Sequence, residues 1–183
     1  MTRLTIYGDF NCPFSALASV RADLVLAAGG YEVEWRAVQH DTAIPVAGEP
    51  VEGDTFAELA AEVAKIRELS ADDVHLVLTV PPVRSNTAAA CAAFAAAGDQ
   101  ADKMRRLLFA AVWAEGRNVG EPAELDRRGA AGRDDAVAGQ WQAEFEALPQ
   151  PITPSLVLPD GYVSRGLGAL ARLADLVAAA PST

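Results

Sequence analysis

The hydrophobic period changes twice along this chain, and that order constrains the fold more than any other feature. Leu4 and Ile6 alternate with polar neighbours across Arg3–Tyr7, which predicts a short strand running into Gly8-Asp9. From Pro13 onward, Leu17, Val20, Leu24 and Val25 recur at helical spacing until Gly29-Gly30 stops the helix; proline suits a first helical turn. Tyr31, Val33, Trp35 and Ala37 then share one face of a second strand, Tyr31 to Val38. Strand, helix and strand in this order predict a parallel, right-handed crossover. The two-residue period comes back only after Pro149-Gln150-Pro151. Ser155 to Leu158 reads as a strand, Asp160-Gly161 as a hairpin turn and Tyr162 to Arg165 as the return strand. A last helix follows, with Leu167, Leu170, Leu173 and Val177 on its face.

Between these ends the helical period dominates. The stretch from His40 to Gly53 is rich in Pro, Gly and acidic residues and reads as a loop. Asp54 then caps a helix whose stripe is Phe56, Leu59, Val63 and Ile66. Further helices are predicted from Ser85 or Asn86 to Ala97, Asp99 to Glu115, Pro122 to Arg128 and Asp134 to Leu148, with Gly129 to Gly132 as a small joint. The chain is therefore expected to be α/β. Residues 1–53 and 149–183 form one domain of βαβ then ββα order, and residues 54–148 form an all-helical insertion. Composition agrees: of 183 residues, 38 are alanine, so much of the 51% apolar fraction favours close helix packing over bulky core.

Charge and cysteine content remove several function classes. Against 15 basic side chains stand 25 acidic ones, a formal charge of −10, which disfavours nucleic acid as a partner. The first eight residues, Met-Thr-Arg-Leu-Thr-Ile-Tyr-Gly, lack the apolar segment of a secretory signal. The longest uncharged apolar stretch, around Leu76 to Val83, contains Thr79 and Pro81-Pro82 and is far short of the ~20 residues a membrane helix needs. The expectation is a cytoplasmic protein with no membrane partner and with reduced cysteines. Two cysteines exclude a disulfide-stapled scaffold.

Cys12 occupies the turn Asp9-Phe10-Asn11-Cys12-Pro13-Phe14-Ser15, between a strand end and the first turn of a helix. Free N–H groups and the macrodipole there favour an anion, so the thiol is expected to fall from about 8.5 towards the thiolate range. Ser15, three residues on, can donate a hydrogen bond to that sulfur but cannot form a disulfide with it. The alternative is a small buried residue in an ordinary strand-to-helix turn. Thr153-Pro154, directly before the third strand, marks a strand start and a site where a cis bond would allow a tight approach.

Taken together, the chain resembles the thioredoxin superfamily, and within it the DsbA-like oxidoreductases that carry a helical insertion. The resemblance rests on Asp9-Phe10-x-Cys12-Pro13-x-Ser15, on Ser85-Asn86-Thr87 opening a helix, and on Phe109 to Glu115 followed by Gly116-Arg117-Asn118-Val119. It rests also on Thr153-Pro154-Ser155-Leu156-Val157-Leu158 before a hairpin and last helix. It implies that Cys12 is the nucleophile, that Pro154 is a cis-proline facing it, and that the Thr153 backbone pairs with an incoming peptide or thiol. Pro13 and Phe14 would flank the substrate. Dithiol members carry cysteine where this chain has Ser15, so a mixed disulfide here is released by an external thiol. The related 2-hydroxychromene-2-carboxylate isomerases and kappa-class glutathione transferases look similar through a Ser-Pro-Tyr-Ser type turn, where a serine at the Cys12 position activates bound glutathione. This chain keeps Ser15 like them and a cysteine at 12 like the oxidoreductases.

The remaining candidates are weaker. Arg84 and Asn86 would hold the carboxylate of a thiol cofactor or organic acid if the loop from Pro81 to Asn86 closes over Cys12. Cys91, in an alanine-rich helix, reads as a buried inert thiol. His40 and His75, with Cys12 and Cys91, are separated by 28, 35 and 16 residues, unlike any zinc site, so no metal is expected. Trp35, Trp113 and Trp141 read as core, and Lys103, Arg105, Arg106, Arg127 and Arg128 as solvated helix faces.

The leading expectation is a monothiol thiol-disulfide oxidoreductase acting on a protein disulfide or small-molecule thiol. No tightly bound cofactor is expected, and a low-molecular-weight thiol, glutathione or mycothiol, would be the second substrate. The alternatives are a thiol-dependent isomerase or transferase acting on an organic electrophile, and a non-catalytic thioredoxin-like binding module. Oligomeric state stays open, a homodimer included.

Overall fold

The structure is a computed structural model that describes residues 2–70, 74 and 76–179. Strand β1 (Thr2–Gly8), helix α1 (Pro13–Ala28) and strand β2 (Tyr31–Ala37) form the opening unit, and β1 and β2 pair in parallel with Ile6 opposite Trp35. Five helices follow: α2 (Gly53–Ser70), α3 (Ala88–Ala95), α4 (Ala101–Trp113), α5 (Pro122–Arg127) and α6 (Asp135–Glu146). A short antiparallel pair, β3 (Glu49–Pro50) and β4 (Val83–Arg84), brackets α2. Strands β5 (Ser155–Val157) and β6 (Val163–Arg165) and helix α7 (Leu167–Ala178) close the chain. The main sheet runs β2-β1-β5-β6, with β5 antiparallel to both β1 and β6. This is a mixed α/β architecture.

Burial of alternate residues fixes the strands. Leu4, Ile6 and Leu156 are buried on the sheet, as are Leu17 and Val25 of α1 and Leu170 and Leu173 of α7, which pack together. Helices α3 and α4 contribute Phe94, Phe109 and Trp113 to the same core. Phe10, just past β1, stands 5.0 Å from the Phe109 ring and 6.3 Å from that of Phe94, and its carbonyl accepts from Trp113 Nε1 at 2.8 Å. The loop that carries Cys12 is thus bolted to the helical layer. Gly8 is required by a close approach: a Cβ there would come within 2.2 Å of the Trp35 ring.

Several expectations need correction. Helix α2 starts at Gly53, which leaves Asp54 inside its first turn, and Phe56 is 51% exposed. Burial along that face deepens from Phe56 through Leu59 to Ile66, so the first turn stands clear of the core. The helix expected from Ser85 or Asn86 begins only at Ala88, because the preceding side chains are bound elsewhere: Ser85 Oγ accepts from Val119 N–H and Thr87 Oγ1 donates to Asp9. The helix expected over 99–115 is split into a 3₁₀ turn, Gly98–Gln100, and α4. Arg105 is no solvated residue. It is 1% exposed, stacks over the Trp35 ring at 5.2 Å, and donates to Ser19 O and Oγ, Asp23 and Asp102. The β3–β4 pair lies where a loop was read; two-residue strands beside Pro and Gly carry no period to detect.

Candidate functional site

The site begins where β1 runs out. Asp9 O accepts the Cys12 N–H at 3.0 Å, which closes a tight turn and leaves Cys12 as the extended residue capping α1, with Pro13 at the first helical position. Cys12 is half-buried, and its Sγ donates to the Thr153 carbonyl at 3.4 Å. The Thr153–Pro154 peptide is cis. Ser15 is fully buried behind the sulfur, accepts the Asp9 N–H on its Oγ at 3.3 Å, and hydrogen-bonds to Cys12.

A buried carboxylate organises this turn. Asp9 is 2% exposed; Oδ1 accepts from Asn11 N–H and Thr87 Oγ1, each at 3.0 Å, and Oδ2 accepts from His40 N–H at 2.9 Å. Burial pushes its carboxyl above the usual range, and those three donors pull it back. Asn11 makes a reciprocal pair with the Ser85 backbone: Ser85 N–H donates to Oδ1 at 3.1 Å, and Nδ2 donates to Ser85 O. Asp9 and Asn11 thereby join the β1 end, the segment after β2 and the lead-in to α3. Sequence reasoning placed both in the motif without giving them a role.

The electrostatics of Cys12 reverse the expectation drawn from its position. Burial, above all, pushes the thiol above its ordinary value, and the Asp9 charge pushes the same way. Hydrogen bonds from the Ser15 and Thr153 side chains and the Ser15 backbone oppose the rise without overcoming it. The bond from Sγ to the Thr153 carbonyl exists only for the protonated thiol. In this site the cysteine is held as a thiol. Cys91 is buried in α3, hydrogen-bonded to Thr87, and pushed up well above the ordinary thiol value by burial and by Asp9.

Cys12 opens into a cavity of about 390 Å³, large enough for a small organic ligand. Pro13, Phe14 and Thr153 of the expected residues line it, as does Arg84; Phe14, Leu59, Ile152 and Leu167 make its apolar walls. Asn86 and Pro154 do not line it. Asn86, expected to hold a carboxylate, spends its side-chain amide within the protein: Nδ2 donates to Ile44 O at 2.7 Å and Oδ1 accepts from Ala88 N–H at 3.1 Å. Arg84 reaches the cavity with its charge divided between Asp41 at 3.0 Å and Glu49 at 3.4 Å. His40, exposed, lines the rim, and its backbone rather than its ring is tied to Asp9. The acidic lining, Asp41, Glu58 and Glu62, was missed by sequence reasoning; nothing in the α2 pattern distinguishes a carboxylate facing a cavity from one facing water. Among the described residues no group of three His, Cys, Asp or Glu side chains is placed to hold a metal ion, and no helix is long and apolar enough to cross a membrane. His75 lies outside the described residues.

Comparison with known proteins places this fold. Across solved structures, the fold superposes on a probable DsbA oxidoreductase from Streptomyces coelicolor with a TM-score of 0.74 at 17% identity, covering 100% of this chain and 93% of that one. A cytosolic disulfide reductase from Pseudomonas aeruginosa, DsbM, determined with GSH, gives 0.68 at 15% identity and 96% coverage of both chains. A 2-hydroxychromene-2-carboxylate isomerase gives 0.57 at 20% identity, covering 98% of this chain and 100% of that one. At such identities these likenesses concern the fold. Curated protein sequences give no match. The model of the DSBA-like thioredoxin domain matches residues 3–143. The chain belongs to the DSBA-like thioredoxin domain family.

Proposed function

We propose that this protein is a monothiol thiol-disulfide oxidoreductase acting through Cys12. One observation carries the reading: a single sulfur, Cys12 Sγ, opens into the cavity, with Ser15 buried behind it where a second thiol would stand. Loss of the Cys12 proton to solvent gives a thiolate that attacks one sulfur of a substrate disulfide. A bond forms between Cys12 and that sulfur, the substrate S–S bond breaks, and the other half leaves as a thiolate that takes up a proton. An external low-molecular-weight thiol, with glutathione and mycothiol as candidates, then attacks the mixed disulfide and releases Cys12. The two external sulfurs end as a disulfide, so electrons balance across the cycle.

The residues around the sulfur have separate tasks. The Ser15 side chain and backbone supply hydrogen bonds to the thiolate once it forms. The Thr153 carbonyl, 3.4 Å from Sγ, turns to the incoming group, while Phe14, Ile152 and Leu167 cover its apolar part. Burial and Asp9 hold the thiol up, so Cys12 acts as the nucleophile only after losing its proton, and the external thiol is the net reductant of the cycle. Cys91 takes no part, since it is buried in α3.

The test is steady-state reduction of bis(2-hydroxyethyl) disulfide by an external thiol with the protein as catalyst. The reading expects a rate above background that Cys12→Ser abolishes and Cys91→Ala retains. A background rate from the wild-type protein, or full activity in Cys12→Ser, would overturn it. The 2-hydroxychromene-type reading has one observation in its favour, a cavity of small-molecule size. It would be preferred if an organic electrophile is converted and disulfides are not.

A further inference from the structure

The Cys12 cavity is lined by four carboxylates, Asp9, Asp41, Glu58 and Glu62, against one guanidinium, Arg84, and one imidazole, His40. Arg84 is itself divided between Asp41 and Glu49. Glu58 and Glu62 are one turn apart on α2, and among the described residues neither joins an ion pair. Like charges at this spacing destabilise a helix. Burial and the neighbouring Glu58 push the Glu62 carboxyl up, and the Arg84 and His40 charges oppose that rise without cancelling it. An arriving ammonium group would add a cation beside this net acidic face, and Thr55 on the same helix face adds a hydroxyl to the lining.

We propose that the cavity selects low-molecular-weight thiols and disulfides bearing an ammonium group a few bonds from sulfur, with Glu58 and Glu62 as its docking point. The substrate class is taken from the thiol-disulfide reading above; the charge selection rests on the cavity itself. The expected order is cationic above neutral above anionic, which places a carboxylate-rich thiol such as glutathione low.

The test uses three methanethiosulfonates of different charge: 2-(trimethylammonio)ethyl, methyl and 2-sulfonatoethyl. With each, the Cys12 thiolate attacks the divalent sulfur, a protein S–S bond forms, and methanesulfinate leaves with the electron pair. Rates on the Cys91→Ala protein are normalised to those of free 2-mercaptoethanol. At low salt the cationic reagent is expected to be favoured over the anionic by about tenfold or more, and molar salt should compress the ratio. A double variant, Glu58→Gln with Glu62→Gln, should lower the cationic-to-neutral ratio severalfold, whereas Glu68→Gln, on the same helix outside the cavity, should not. Equal normalised rates, or a preference undiminished in the double variant, would overturn the proposal. Charge preference without disulfide turnover would instead remove the thiol-disulfide reading and leave a cation-selective thiol site, so the two failures are distinguishable.

Discussion

Ser15 is the residue through which the Cys12 turn is tuned, since its hydroxyl bonds both to the Asp9 N–H and to Cys12. Ser15→Ala removes a donor to the thiolate, worth about 1.5–3 kcal/mol for a charged acceptor. The alkylation profile of Cys12 against pH should therefore move up by roughly one to two units, and labelling at neutral pH should slow by at least about tenfold; an unmoved profile would show that Ser15 does not touch the reacting sulfur. Asp9→Asn works in the opposite sense, because the Asp9 charge raises Cys12, and should bring that profile down. Cys91 carries a stability prediction. Its thiol is pushed up from the ordinary 9.0, so the folded state holds that proton more tightly than the unfolded chain does. The contribution is fully present below the unfolded value and is lost as pH rises towards the folded one. Urea unfolding of the wild type should weaken above about pH 9 by up to ~1.4 kcal/mol per unit more than that of Cys91→Ala. The position of Cys12 was legible in the sequence; its electrostatics were not. A helix N-terminus can be read from spacing, and Asp9 stands in the same turn, but the burial that raises the thiol most appears only in three dimensions.

Elements with a sustained period were legible, and elements set by single side-chain bonds were not. β1, α1 and β2 followed from alternation and helical spacing, although α1 buries Leu17, Ala18, Arg21, Ala22 and Val25 and leaves Val20 and Leu24 of the expected stripe half-buried. The start of α3 did not, since Ser85, Asn86 and Thr87 are recruited by Val119, Ile44 and Asp9 from outside the helix. The grip of α4 on the Cys12 loop is a further case of this kind: Trp113 read as core, and it is, yet its N–H also fixes the Phe10 carbonyl two residues before Cys12. Trp113→Phe keeps most of the packing and orphans that buried carbonyl, at a cost of about 1–3 kcal/mol. Thermal unfolding should fall accordingly, and Cys12 alkylation should quicken as the loop loosens; unchanged labelling would separate the tryptophan from control of the site.

The two ends of the chain and its helical middle share one apolar core, and a few polar points tie them further. Arg105 of α4 reaches Ser19 and Asp23 of α1 while covering Trp35 of β2. Arg105→Met should therefore cost about 2–3 kcal/mol in chemical unfolding, more than a surface arginine would. On the other side Gln142 of α6 pairs reciprocally with the Gln39 backbone, at 2.8 and 3.0 Å, and Arg36 and Tyr7 meet Glu144. Asp9, Asn11 and Thr153 come from opposite ends of the sequence and converge on one sulfur because β5 pairs beside β1. The cavity is thus a product of the whole fold. The account stands most directly on the intact mass of the protein after exposure to bis(2-hydroxyethyl) disulfide. It predicts one 2-hydroxyethylthio adduct, located at Cys12 and removed by added thiol. An intramolecular Cys12–Cys91 disulfide, or no adduct on a Cys12 that iodoacetamide still alkylates, would contradict it.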